Sequence, residues 1–426
     1  MTKHHSNLEP AKILKVVFLT VFLDLLGIGI LVPVLPVLLS APLSPYYILP
    51  AGYTVSQGYV LLGLLTMIFP LGQFLAAPVL GELSDRFGRR VVLLTSIAGT
   101  AFGYLLFAYG VLIGSIPILF LARAIDGLTG GNIAVAQAVI ADISPNPADR
   151  VKRFGILGAA FGFGFILGPF LGGKLSDPQI VSWFTASTPF YFASLLALVN
   201  IFAVWKFLPE THQHPKSTLV LHWFMSFRNI ARAFRMPELR TSFITGFLFQ
   251  GGFMFYTTFA GAYMIHRFAV DQGDIGNYFA MVGICSVLVQ GLVVRKLANH
   301  FSPSQILPWS LSLSALMIFL YLQPGAFWVL FAMAPFLSLG VGASNSNLSA
   351  FVSSHAPAGK QGEVMGVNAS VIALSQTIPP LIAGFLAASL SPSAPILVAS
   401  ATIFLGAFIF LMNRERNPVP LKTPVL

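Results

Sequence analysis

The amino-acid sequence predicts an all-α membrane protein: twelve transmembrane helices in two pseudo-symmetric six-helix bundles, with both termini cytoplasmic. Long apolar runs predict the helices, the placement of lysine and arginine predicts the topology, and an internal echo predicts the two bundles. Of the 426 residues 56% are hydrophobic and only 9% charged, with a mean hydropathy of +0.81. A soluble domain carries about 25% charge, so this composition excludes one.

A helix needs roughly 20 apolar residues to cross a bilayer. Runs of that kind begin near Ile13, Tyr59, Val91, Pro117, Phe154 and Pro189, and again near Thr241, Ile275, Pro303, Phe327, Val364 and Ala394. The first is too long for a signal-peptide core and lacks a small-residue cleavage site, so it is read as a span. Residues 1–207 then form an N-terminal six-helix bundle, 208–239 a cytoplasmic linker, and 240–426 a C-terminal bundle with a short cytoplasmic tail. Within the linker, His222 to Arg235 reads as a basic amphipathic helix lying on the inner leaflet. Arg228, Arg232 and Arg235 share one face of it, and Phe224, Phe227, Ala231 and Phe234 another.

The net charge of +10 comes from topology and not from nucleic-acid binding. Of the 24 Lys and Arg, only Arg123, Lys174 and Arg267 lie outside the segments assigned to the cytoplasm. That is the positive-inside distribution. The single cysteine, Cys285, excludes an intramolecular disulfide and a thiolate metal site. No cofactor or metal is expected.

Gly155, Pro169 and Gly173 recur at one constant offset as Gly366, Pro380 and Gly384. The Gly81 segment has a degraded echo in Gly291, Arg295 and Lys296. Two halves from duplication put a substrate site near the midplane between them.

The segment Gly81-Glu-Leu-Ser-Asp85-Arg86-Phe-Gly88-Arg89-Arg90 separates the second and third runs. Such a charge cluster cannot lie in hydrocarbon and predicts a tight loop at the membrane surface. Gly81 and Gly88 permit sharp turning, Asp85 offers an acceptor, and Arg86, Arg89 and Arg90 can pair or snorkel. The segment resembles the loop signature G-x-L-x-D-R-x-G-R-R of the major facilitator superfamily and matches every fixed position of it.

Only three charges are deep in the predicted spans: Asp24 in the first, and Arg123 and Asp126 in the fourth. Each costs at least about 2.5 kcal/mol at the bilayer centre and so needs a reason. At about 1.5 Å per residue, Asp24 and Asp126 reach similar depths near mid-membrane. Arg123 and Asp126, spaced i, i+3, share a helix face. Burial favours a neutral carboxylic acid and a nearby arginine favours the carboxylate, so a cavity that changes these neighbours can load and unload a proton. A static ion pair pinning the first helix to the fourth is the structural alternative.

Asp24-Leu-Leu-Gly27-Ile-Gly29-Ile-Leu-Val-Pro33-Val-Leu-Pro36 resembles the first-helix signature of the superfamily's twelve-span drug:proton antiporter branch, and Arg123-Ala-Ile-Asp126-Gly127 is similar to its fourth-helix motif. The resemblance implies proton coupling through Asp24, Arg123 and Asp126. It also implies a gating network in which Asp142 pairs with an arginine of the Gly81 segment. In the fifth span, Gly164, Gly168, Pro169, Gly172 and Gly173 match the antiporters' G-x-x-x-G-P-x-x-G-G. Glycines at i, i+4 leave a flat stripe for close helix packing, and Pro169 favours a kink.

The C-terminal half departs from tetracycline:proton antiporters, which resemblance says carry a further buried acid there. Asp271 and Asp274 fall in an outer loop and Glu363 near an inner helix end. Gln250, Tyr256, Asn277 and Gln290 are the candidate cavity residues of that half. Phenylalanines crowd the seventh span; most are expected to face lipid, with Phe247 and Phe255 as pocket candidates.

The expected function is proton-coupled antiport that exports a small hydrophobic, cationic or zwitterionic compound by alternating access. A dedicated exporter of one sugar, peptide or lipid-like metabolite is the alternative. The partners are that small molecule, protons and the lipid bilayer, with no nucleic acid, and the expected state is a monomer in the plasma membrane (the cytoplasmic membrane of a prokaryote). Neither an H-E-x-x-H metal motif nor a G-x-S-x-G elbow occurs, which argues against an enzyme.

Overall fold

A computed structural model describes residues 10–144, 147–211, 225–356 and 361–413. It is helical, with no strand among the described residues. The N-terminal set comprises α1 (Pro10–Ser40), α2 (Val55–Phe87), α3 (Arg89–Leu112), α4 (Ile116–Thr129), α5 (Asn132–Ile143), α6 (Pro147–Lys174) and α7 (Thr188–Phe207). A short helix, α8 (Met225–Arg235), precedes the C-terminal set. That set is α9 (Pro237–Phe268), α10 (Gln272–Leu288), α11 (Arg295–His300), α12 (Pro303–Leu320), α13 (Trp328–Ser354), α14 (Gln361–Ser389) and α15 (Ala394–Met412). Ten stretches are long and apolar enough to cross a membrane, counting α4–α5 as one. The other two long helices, α6 and α9, have 28 and 32 residues.

The ends of these helices are written in short-range chemistry. Thr54 and Gln57 form a capping box at the start of α2: Thr54 Oγ1 accepts from the Gln57 amide at 3.2 Å, and Gln57 Oε1 from the Thr54 amide at 2.8 Å. Asp271 caps α10 by accepting from the Asp274 amide at 2.9 Å, which places both acids at a helix end.

Two expectations need correction, and one span has a break within it. Gly81–Arg90 is not a ten-residue loop, because α2 runs on through Phe87 and only Gly88 breaks the chain before α3. Residues 82–87 suit a helix whose last turns extend beyond the apolar layer, and Gly88 alone takes the positive φ of +96°. The fourth span is interrupted at Gly130 and Gly131, between α4 and α5. The seventh-span phenylalanines do not mostly face lipid: Phe243, Phe249, Phe255 and Phe259 are buried. The reason is packing, since α9 is enclosed by α1, α13, α14 and α15.

Small residues set how the helices meet. Gly164, Gly168 and Gly172 of α6 lie along α1, and a Cβ at Gly168 would stand 2.7 Å from the Gly29 Cα. The next residue, Gly173, faces α10, where a Cβ would come within 2.7 Å of the Gln272 carbonyl oxygen. In the echoed position Gly384 of α14 packs on α2, where a Cβ on Gly384 would stand 3.3 Å from the Gly63 Cα. The sequence echo therefore corresponds to an exchange of contacts, α6 on α10 and α14 on α2. These contacts sit toward the end of the bundle away from Gly88. Toward the Gly88 end, Gly246 of α9 and Gly366 of α14 face open space.

Helix α8 bridges the two sets at the Gly88 end. Its protein-facing side is small and polar: Ser226, Asn229 and Ala233 are buried, while Phe227 and Phe234 are exposed. Ser226 Oγ donates to the Phe74 carbonyl at 2.7 Å. Four residues on from Phe74 stands Pro78, which has no N–H to give, so the serine supplies the bond the proline withholds. Asn229 Nδ2 reaches Ser370 Oγ of α14 at 3.1 Å. His222 and Phe224 of the expected linker helix lie outside the described residues.

Candidate functional site

Two constellations collect the charges, one inside the N-terminal set and one at the α2–α3 junction. In the first, Arg123 and Asp126 stand one turn apart on α4, both buried. Arg123 Nη1 donates to Asp126 Oδ2 at 2.8 Å. The guanidinium also lies over the Phe69 ring of α2, 4.5 Å from its centroid, so one face is covered by a π-system. Tyr104 of α3 shares this pocket with Arg123, Asp126, Phe107 and Phe190. Its hydroxyl occupies the space left by the missing side chain of Gly27, 1.6 Å from where a Cβ would be.

Asp24, near the middle of α1, differs from Asp126 in having no cation on it among the described residues. Its neighbours are Asn132, at the start of α5, and the Asp126 carboxylate. Asp24 Oδ2 and both polar atoms of Asn132 are buried without a well-formed hydrogen bond. Buried polar atoms are nearly always paired, and Asn132 is the side chain placed to bond the Asp24 carboxyl. The break that presents Asn132 is held from α2, where Gln73 Nε2 donates to the Gly130 carbonyl at 2.7 Å.

At the junction, Arg89 is the hub. Its Nη1 lies 2.6 Å from Asp85 Oδ1 and 2.5 Å from Ser84 Oγ, and its Nε donates to Asp142 Oδ2 of α5 at 3.1 Å. Thr211 Oγ1 also reaches Asp142, at 3.2 Å. Glu210 accepts the Arg89 and Arg90 amides, capping α3 at its electropositive end. Arg90 itself donates to the Trp205 carbonyl. Arg86 stacks over Phe87 at 5.3 Å, and Gly81 lies inside α2 facing open space.

The C-terminal candidates scatter. Gln250 Nε2 donates to Asn345 Oδ1 of α13 at 2.7 Å. Tyr256 is buried, its hydroxyl 2.8 Å from that of Tyr278, and so belongs to a tyrosine cluster rather than to an open surface. Asn277 is half-buried, and Gln290 is exposed on a π-helical turn, Val289–Val294. Sequence reasoning passed over Glu210, Asn132 and Asn345. Each leaves a trace: an acid just after the sixth span, an amide after two glycines, and Ser344-Asn345-Ser346-Asn347 inside an apolar run.

Residues 17–378 match the family pattern of the Major Facilitator Superfamily, and 241–425 match it again. The chain belongs to that superfamily. Among its relatives, the class D tetracycline resistance protein of Salmonella ordonez is 31% identical over 419 residues, covering 97% of this chain and 98% of that protein. The quinolone resistance protein NorA of Staphylococcus aureus (strain MRSA252) is 27% identical, over 94% of this chain and 96% of its own length. Among solved structures, the human organic anion transporter MFSD10 superposes with a TM-score of 0.71 at 25% identity, covering 94% of this chain and all of that one. The D-xylose–proton symporter shares the fold, with a TM-score of 0.72 at 16% identity. The relatives and the fold are those of membrane transporters, and the branch is that of the tetracycline resistance proteins.

Proposed function

We propose that this protein is a proton-coupled antiporter that exports a small hydrophobic, cationic or zwitterionic compound. The observation that carries the reading is the contrast between two carboxylates that feel each other, Asp126 held by Arg123 and Asp24, whose Oδ2 is buried, with no cation on it among the described residues. An acid without a cation in a low-dielectric site favours its proton, and one that gains a cation or water favours release. Asp24 then carries the proton, while Arg123 and Asp126 set the field it feels. Two acids and one arginine leave the site negative when both acids ionise, which suits a positively charged group on the cargo.

In this reading the twelve spans form two six-helix bundles, residues 1–207 and 240–426, joined by the cytoplasmic segment 208–239, with both termini cytoplasmic and the protein a monomer in the plasma membrane. Close packing away from Gly88, with open space at Gly246 and Gly366, corresponds to a cavity open toward the cytoplasm. Asp85, Arg86, Arg89, Arg90 and Asp142, around Gly81 and Gly88, act as the inner gate. The side of α6 that meets α10, at Ile166 and Gly173, is the surface on which the bundles rock, while Gly164, Gly168 and Gly172 fasten α6 to α1. The resistance functions in the relatives' names support export of a drug-like compound.

Purified protein in liposomes with a trapped pH dye tests this. Adding tetracycline or a lipophilic cation should drive counter-movement of protons. Substrate accumulation that is unaffected by collapsing the pH gradient would sink the antiport reading.

A further inference from the structure

The run Ser344-Asn345-Ser346-Asn347 puts four polar residues in the middle of α13. Phe336, 57% exposed, marks the lipid-facing side of that helix. Nine residues further on, at about 100° each, Asn345 lies roughly 180° round the helix from Phe336. It is nevertheless exposed, while its neighbours Ser344 and Asn347 are buried. A side chain exposed on the face turned away from lipid borders the space between the two sets of helices.

Gln250 of α9, half-buried, donates to Asn345 at 2.7 Å. Among the described residues, α9 carries no large exposed apolar side chain. One turn before Gln250, Gly246 faces open space. A third amide, Gln290, approaches the same stretch of α13, its Cγ 3.5 Å from where a Cβ on Gly342 would stand. The Asp, Glu, Lys, Arg and His residues of the C-terminal set lie near helix ends, so what this wall reads, it reads without charge.

The bond between Gln250 and Asn345 uses one N–H and one carbonyl. Whichever way the two amides are turned, one carbonyl and one NH2 remain for something else. We propose that Gln250 and Asn345 form a neutral subsite that takes a paired donor–acceptor group of the transported compound, a hydroxy-carbonyl or a carboxamide. This rests on the export reading above. It divides the work of recognition: the acidic N-terminal wall takes positive charge and the amide wall takes uncharged polarity.

The test is direct binding to the purified full-length protein, by tryptophan fluorescence, of two probes. Tetracycline carries hydroxy-carbonyl and carboxamide groups; tetraphenylphosphonium is a cation with no hydrogen-bonding group. Gln250→Met and Asn345→Leu keep volume and remove the amides. Each should weaken tetracycline binding about tenfold, leaving tetraphenylphosphonium binding and the melting temperature as in wild type. Unchanged tetracycline affinity in both variants, no tetracycline binding by wild type, or an equal loss for both probes would each overturn the subsite. Intact binding without substrate-driven proton movement would instead sink the antiport reading and leave the subsite standing.

Discussion

Glu210 closes over the start of α3 by accepting the Arg89 amide at 2.8 Å, with the Arg90 amide on its other oxygen at 3.2 Å. Its carboxylate fills the space a side chain on Gly88 would need, since a Cβ there would lie 2.2 Å from Glu210 Oε2. The end of the sixth span is thereby fastened to the junction between the second and third.

Two substitutions separate this cap from general stability. Glu210→Gln keeps the shape and loses the charge that faces the helix dipole, worth about 0.3–1 kcal/mol at an exposed site. It should lower the melting temperature only slightly and slow transport. Gly88→Ala adds a strained φ and a clash, and should cost more than Glu210→Gln in thermal unfolding.

Arg89 contacts Asp85, Ser84 and Asp142 through one planar fork, a geometry that an ammonium cannot copy. Arg89→Lys should therefore behave like Arg89→Ala in a vesicle transport assay, with about tenfold loss in either case. Asp85→Asn and Asp142→Asn, which share this arginine, should be non-additive by about 1 kcal/mol in a stability cycle. Additive effects would show that the network is not a unit.

The glycine stripe makes a steric prediction. Gly168→Val places methyl groups where the Gly29 Cα and the Leu26 carbonyl already stand, 2.7 Å from the first added atom. Overpacking of this kind costs about 1–3 kcal/mol, so the variant should melt lower, as read by fluorescence-detected unfolding in detergent.

The buried pair on α4 separates function from stability. Removing one partner leaves an uncompensated charge and costs about 3–5 kcal/mol, so Arg123→Met alone should unfold readily. Replacing both, Arg123→Met with Asp126→Leu, should restore stability while substrate-driven proton movement stays lost. Recovery of that movement in the double variant would mark the pair as a structural pin.

Long-range design was legible where a residue type is costly in its setting. Charges in an apolar run drew notice to Asp24, Arg123 and Asp126, and the structure brings Asp24 within electrostatic reach of Asp126 inside the N-terminal set. The echo of Pro169 and Gly173 in Pro380 and Gly384 pointed to two halves, but not to the exchange that sets α6 on α10 and α14 on α2. Residues 82–87 read as a loop because hydropathy falls there, whereas a helix can leave the apolar layer without ending. The phenylalanines of α9 read as lipid-facing because an apolar side chain looks alike in lipid and in a protein core. Glu210 and Asn345 escaped notice because their partners, Arg89 and Gln250, are distant in the chain.

Of Asp24 and Asp126 only Asp126 has a cation on it among the described residues, and Asp24→Asn is the most direct test of Asp24 as the proton carrier. An amide of the same shape, neutral like the protonated acid, should leave the melting temperature unchanged or raised. In proteoliposomes with an internal pH dye, the variant should give no proton movement when substrate is added, beside a clear signal from wild type. A variant that moves protons and substrate as wild type does would contradict the account, and coupling would have to be sought at Asp126.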